Sequence, residues 1–97
     1  MIARVTTIQA KAGKLDEVKK YYDESIFPVV KQRKGFQGGY ILTDPKTGCC
    51  VCIGFWDNEQ NALTDEHSGQ FKTRVNQVTE LIKGTPIWTM YEVSSKY

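Results

Sequence analysis

Few groups in this chain are able to do chemistry, and they are unevenly placed. Three cysteines are packed into Cys49-Cys50-Val51-Cys52, and the one histidine, His67, follows fifteen residues after the last of them. A tetrahedral metal centre needs spacing such as C-x2-C or a neighbouring His, and neither is present, so no metal is expected. Three is an odd number, and successive side chains of a strand point to opposite faces, so no disulfide framework can be read. The cysteines read instead as small apolar residues of a buried strand. Two other patterns are structural. Gly35-Phe36-Gln37-Gly38-Gly39 is glycine-rich but leads from a helix into a strand, whereas a phosphate-cradling loop leads from a strand into a helix N-terminus. It reads as a bulge or a close backbone approach. Lys31-Gln32-Arg33-Lys34 is a basic run at a helix C-terminus, where cations complement the helix dipole.

The elements that must hold these groups follow from hydrophobic period and turn chemistry. Met1 to about Ala10 reads as a strand that ends in Lys11-Ala12-Gly13. Lys14 to about Arg33 spaces Leu15, Val18, Tyr22, Ile26 and Val29 by threes and fours, an amphipathic helix. Pro28 predicts a kink or a fresh helical turn, and Gly35 ends the segment. Phe36 to Thr43 and Cys49 to Trp56 are two strands joined by Asp44-Pro45-Lys46-Thr47-Gly48, a hairpin with Pro at the second turn position. Asp57 is placed to cap a helix from about Glu59, with Gln60 three residues on, and Ala62 and Leu63 face inward. Gly69 breaks or bends that helix. Phe71, Val75, Val78 and Ile82 then form an apolar stripe that stops at Gly84 and Pro86. Ile87 to about Val93 is the last strand.

The order is β-α-β-β-α-β, which predicts an α+β, ferredoxin-like domain: a four-stranded antiparallel sheet with two helices on one face. Both faces of the sheet read as apolar. Val51, Ile53 and Phe55 share one side of the third strand while Cys50, Cys52 and Trp56 share the other, and the last strand sets Ile87, Tyr91 and Val93 against Trp88 and Met90. Two helices can cover only one face, so a second copy is expected on the other, giving a homodimer packed sheet to sheet.

Length and composition agree with one domain spanning residues 1–97. Hydrophobic residues are 40% and charged residues 25%, which is globular composition and excludes a fibre, a disordered tail or a membrane span. Thirteen Lys and Arg against eleven Asp and Glu leave a charge of +2, so no nucleic-acid or acidic-lipid partner is expected. Arg4 and Thr6-Thr7 interrupt the apolar start, so no secretory signal is read and the chain is expected in the cytoplasm.

Taken in order, the Gly13 break, the Pro28 kink, Gly35-Phe36-Gln37-Gly38-Gly39-Tyr40, the Thr43-to-Gly48 hairpin, and Phe55-Trp56-Asp57-Asn58-Glu59 leading to Ser68 and Phe71-Lys72 resemble the antibiotic biosynthesis monooxygenase superfamily. The resemblance covers nearly the whole chain and implies a dimeric α/β barrel. It also implies a cavity for a hydrophobic small molecule between the sheet and its own helices, with Thr6, Tyr22, Trp56, His67 and Phe71 as the residues around it. Within that superfamily the closest fit is a cofactor-independent monooxygenase of an aromatic or quinol-like substrate. Such chemistry deprotonates an electron-rich phenol or quinol in a dry cavity so that it can pass an electron to oxygen. His67 has the unperturbed pKa suited to the base, Thr6 and Tyr22 would orient the substrate, and Trp56 and Phe71 would bind it. The alternative is a non-catalytic ligand-binding or stress-responsive barrel of the same fold. The heme-degrading branch fits less well: its Asn, Trp and iron-ligating His fall here on Thr6, Asp65 and Val75, and Val75 has no ligand atom.

Overall fold

The computed structural model describes the backbone of residues 1–66 and 69–97; the side chains of 66, 69–72 and 75 lie outside that description. The elements run β1 (Ile2–Ala10), α1 (Leu15–Tyr21), a π-helical turn (Tyr22–Ile26), α2 (Phe27–Val30), β2 (Phe36–Asp44), β3 (Cys49–Trp56), α3 (Glu59–Glu66), α4 (Gly69–Val78), a 3-10 turn (Thr79–Leu81) and β4 (Ile82–Glu92). The four strands form one antiparallel sheet in the order β2-β3-β1-β4, the ferredoxin-like arrangement. No described helix is long and apolar enough to cross a membrane.

The expected kink at Pro28 takes a definite form. Proline has no N–H to continue the α-helical ladder, and just before it the chain widens into a π turn in which the Phe27 N–H bonds to the Tyr22 carbonyl. The extra residue rotates the inward face by one position. Val30 is therefore the buried residue at 4% exposure, while Val29, which the simple spacing places inward, is 37% exposed. Tyr22 and Ile26, at the two ends of the π turn, both point into the core.

The hairpin forms as its turn residues predict: the Gly48 N–H donates to the Asp44 carbonyl at 2.8 Å, and Gly48 has a φ of +78°. The glycine-rich segment contains a bulge, with the β2/β3 register shifting between Phe36 and Gly38. Gly39 is there for a close approach. A Cβ at that position would overlap the Ile53 carbonyl oxygen and lie 2.8 Å from the Phe27 ring.

Two local expectations are corrected. The cap of α3 is Asn58, whose Oδ1 accepts the Asn61 N–H at 2.9 Å, while Asp57 Oδ1 accepts from the Asn61 side chain at 2.8 Å. The last helix also ends at Val78, and Ile82 lies on β4, paired with Ala10 and buried against the core. The last strand, expected from Ile87, begins at Ile82, so Gly84 and Pro86 do not separate helix from strand. They are absorbed within β4, where the register against β1 shifts between Thr7 and Gln9.

The core lies between the sheet and the helices, built on Ile8, Val18, Cys50, Trp56 and Ala62. The opposite sheet face carries Tyr40, Leu42, Ile87 and Tyr91, all more than half exposed or close to it, around Val5, Val51, Ile53 and Phe55.

Candidate active site

Strand register dictates the floor of a cavity. On the helix-facing side, Ile41, Cys52, Thr6 and Trp88 form one row across the four strands, and Gly39, Gly54, Arg4 and Met90 form the next. Above these rows Tyr22, Ile26, Phe27 and Val30 come down from the π turn and α2, and Arg74 and Val78 from α4. Phe36, Pro86 and Trp88 close the sides, enclosing about 60 Å³. Aromatic and aliphatic side chains in equal share with a few converging polar groups match a small-molecule site in composition, while the space is well below the roughly 300–1,000 Å³ of a drug-sized pocket, so the walls must move apart to admit a ring.

One buried carboxylate organises the polar side. Asp65, 1% exposed in its side chain, accepts from Arg4 Nη2 at 2.8 Å and Arg74 Nη2 at 2.9 Å, and Arg33 Nε approaches it at 3.4 Å. Arg4 also donates to the Ala62 carbonyl and lies over the Trp56 ring, 5.3 Å from its centroid. The two guanidiniums held this way, Arg4 and Arg74, both line the cavity. None of these four charged residues is singled out as part of a site by sequence, where Asp65 enters only as the position at which the heme-degrading branch carries its Trp. The available signal was an Asp and an Arg nine residues apart on helical elements, which is not distinctive.

Trp56 is fully buried and packs edge-on against Phe36 with centroids 5.3 Å apart. Its indole N–H has no hydrogen-bond partner among the described residues. It lies 3.4 Å from the place a Cβ on Gly54 would occupy, with the Phe36 ring 3.5 Å from the same point. Gly54 and Phe36 both border the cavity, so the absence of a side chain at position 54 leaves the space beside this donor open.

Of the residues expected at the site, Thr6 and Tyr22 do line the cavity, and Trp56 sits behind Gly54 at its edge. His67 lies outside the described residues, and so does the side chain of Phe71. Burial, the largest cause, and the neighbouring Cys52 push the Tyr22 phenol well above the ordinary tyrosine range. It is therefore a neutral donor near pH 7. Cys50 and Cys52 form a coupled pair with sulfurs 3.8 Å apart. Their mutual hydrogen bond lowers Cys50 and raises Cys52, and burial holds Cys52 further up. Among the described residues no three His, Cys, Asp or Glu side chains converge as metal ligands. Asp65 is committed to the arginines.

No family sequence profile matches this chain, and no curated protein matches it by sequence. Solved structures do match in fold. A candidate antibiotic biosynthesis monooxygenase of Deinococcus radiodurans superposes with a TM-score of 0.84 at 17% identity, covering 100% of this chain and 96% of its own. A second antibiotic biosynthesis monooxygenase gives 0.80 at 16% identity over 98% and 100%. This chain has the antibiotic biosynthesis monooxygenase fold. A Streptomyces coelicolor monooxygenase, solved with the ligand nanaomycin D, matches it at a TM-score of 0.84 and 11% identity over 99% of this chain and 89% of that one. At these identities what the monooxygenase-fold structures share with this chain is the architecture.

Proposed function

We propose that this protein is a cytoplasmic, homodimeric monooxygenase-type enzyme that oxidises an aromatic, quinol-like small molecule with molecular oxygen, without a metal or an organic cofactor. The observation that carries the reading is the buried Trp56 N–H, without a partner among the described residues, beside the gap at Gly54 at the edge of a cavity walled by Phe27, Phe36 and Trp88. A buried donor without an acceptor is costly, and a ligand oxygen would satisfy it. The bound ligand of the Streptomyces coelicolor neighbour supports a small-molecule cavity in this fold.

In this reading the aromatic walls hold the ring plane and exclude water, and Trp56 and Tyr22 donate to substrate oxygens. Arg4 and Arg74 lie where they stabilise the phenolate formed when the substrate loses its proton. His67 is the proposed base. The anion passes an electron to oxygen and the radical pair recombines; one oxygen atom remains on the product and the other leaves as water. The second copy of the chain covers the outer sheet face around Ile53.

The test is oxygen uptake by the purified protein with a panel of one-, two- and three-ring quinols in air. Turnover above the buffer rate is expected, falling about 10- to 150-fold in kcat/KM in Trp56→Phe if the indole bonds an anionic oxygen at about 1.5–3 kcal/mol. Uptake no faster than buffer across the panel would sink the oxygenase reading. Among the described residues the cavity offers no group that is basic near neutrality, which favours a binding-only barrel as the second reading. Ligand-induced stabilisation with unchanged oxygen would support that one.

A further inference from the structure

The oxygen chemistry leaves Cys50 and Cys52 unused, and they stand together at a distinctive place. Both face the helices from β3, an interior strand of the sheet. Cys50 is fully buried, and Cys52 forms part of the cavity wall beside Tyr22. Their sulfurs lean together to 3.8 Å. We propose that this pair is a two-thiolate chelate for one soft, thiophilic d10 cation of the Cu(I) type, entered from the cavity.

The pair is ill suited to closing on itself. Side chains two apart on one strand face have Cβ atoms roughly 6.6–6.8 Å apart, set by the strand rise, whereas a disulfide needs about 3.8 Å. Bonding the sulfurs directly would pull β3 out of its pairing on both sides. An ion between them asks for no such movement. With each sulfur about 2.3 Å from the ion, the observed 3.8 Å separation corresponds to an S–M–S angle of about 110°. Rotation about the side-chain bonds opens it further.

The surroundings select the kind of ion. Soft thiolates favour Cu(I), whereas structural zinc asks for four donors. The described residues supply two thiols and the neutral Tyr22 phenol, with no third thiolate, imidazole or carboxylate converging on them. Binding exchanges two S–H protons for two S–M bonds and changes no oxidation state. The resulting complex carries one negative charge, and the Arg74 guanidinium lines the same cavity to offset it. Cys49, displaced by one residue, faces the other side of the sheet by strand alternation and is the internal control.

The experiment is an anaerobic titration of the fully reduced protein with Cu(I) against a chromogenic Cu(I) chelator, with X-ray absorption at the copper edge. One Cu(I) per chain, two sulfur neighbours at about 2.2–2.3 Å, retention in Cys49→Ala and at least a tenfold loss of affinity in Cys52→Ala are expected. Wild-type protein that yields all its copper to the chelator would overturn the proposal, as would loss in Cys49→Ala or a coordination shell without two sulfurs. Should Cys52→Ala fail to fold, the wild-type absorption spectrum and the Cys49→Ala titration still decide.

Discussion

The cluster at Asp65 makes a demanding prediction. The carboxylate is 1% exposed and faces three guanidiniums, two at 2.8 and 2.9 Å and a third at 3.4 Å. Asp65→Asn keeps the shape and removes the charge. Arg4 and Arg74, each about nine-tenths buried, lose the anion that compensates them, whereas Arg33 is one-third exposed and is relieved by solvent. Removing one partner of a buried ion pair costs about 3–5 kcal/mol, a large part of the roughly 5–15 kcal/mol that holds a domain of this size folded. The assay is urea unfolding followed by tryptophan fluorescence, and a fall in Tm of more than about 12 °C is expected alongside. Replacing the group together, as Arg4→Met, Asp65→Leu and Arg74→Met, is expected to be less damaging than Asp65→Asn alone, because no unpaired charge stays buried. A loss below about 1 kcal/mol for Asp65→Asn would refute the reasoning, since it would place the cluster in the energetic range of a solvated surface pair.

Three further outcomes follow from other parts of the molecule. Gly39→Ala is expected to destabilise by about 1–3 kcal/mol, measured by the same urea assay, because the added methyl meets the Ile53 backbone oxygen, which cannot move aside without disturbing the ladder. Tyr22 has a folded pKa raised by burial, so its effect on stability is nil below the unfolded value near 10 and destabilising as pH rises above it. Wild-type stability should therefore fall above pH 10 more steeply than that of Tyr22→Phe, by up to about 1.4 kcal/mol per pH unit, and parallel profiles would contradict the burial of the phenol. Light scattering should give about twice the 11.0 kDa chain mass, and Ile53→Asp, a charge at the centre of the outer face, should give the single-chain mass; a monomeric wild type would remove the argument from the two-faced sheet.

What was legible in the sequence is what short-range chemistry controls. The element order, the Asp44-to-Gly48 turn, the bulge in the Gly35-to-Gly39 segment and the two-sided β3 all follow from periodicity and from backbone conformations that few residues tolerate. Thr6 and Tyr22 were placed at the cavity by a resemblance that itself rests on the order of such local signals. Pro28 announced a break, but not that the helix would absorb it as a π turn and exchange Val29 for Val30 at the core. That choice depends on which register packs better against the sheet. The end of α4 was misplaced for a similar reason: Ile82 fits both the helical stripe and the strand, and pairing with Ala10 decided between them.

The tertiary structure alone decided the polar half of the site. Arg4 and Asp65 are 61 residues apart, and a charged side chain reads as a solvated one until the fold removes its water. The same holds for the Trp56 N–H. The sequence by itself put Trp56 on the same face of β3 as Cys50 and Cys52, but the direction of its indole edge, and the open space left by Gly54 beside it, exist only once Phe36 and Arg4 have packed against the ring. Local sequence determines which elements form, because their hydrogen bonds and turns close within a few residues; the site is decided later, because desolvation and donor orientation are properties of side chains brought together from distant parts of the chain.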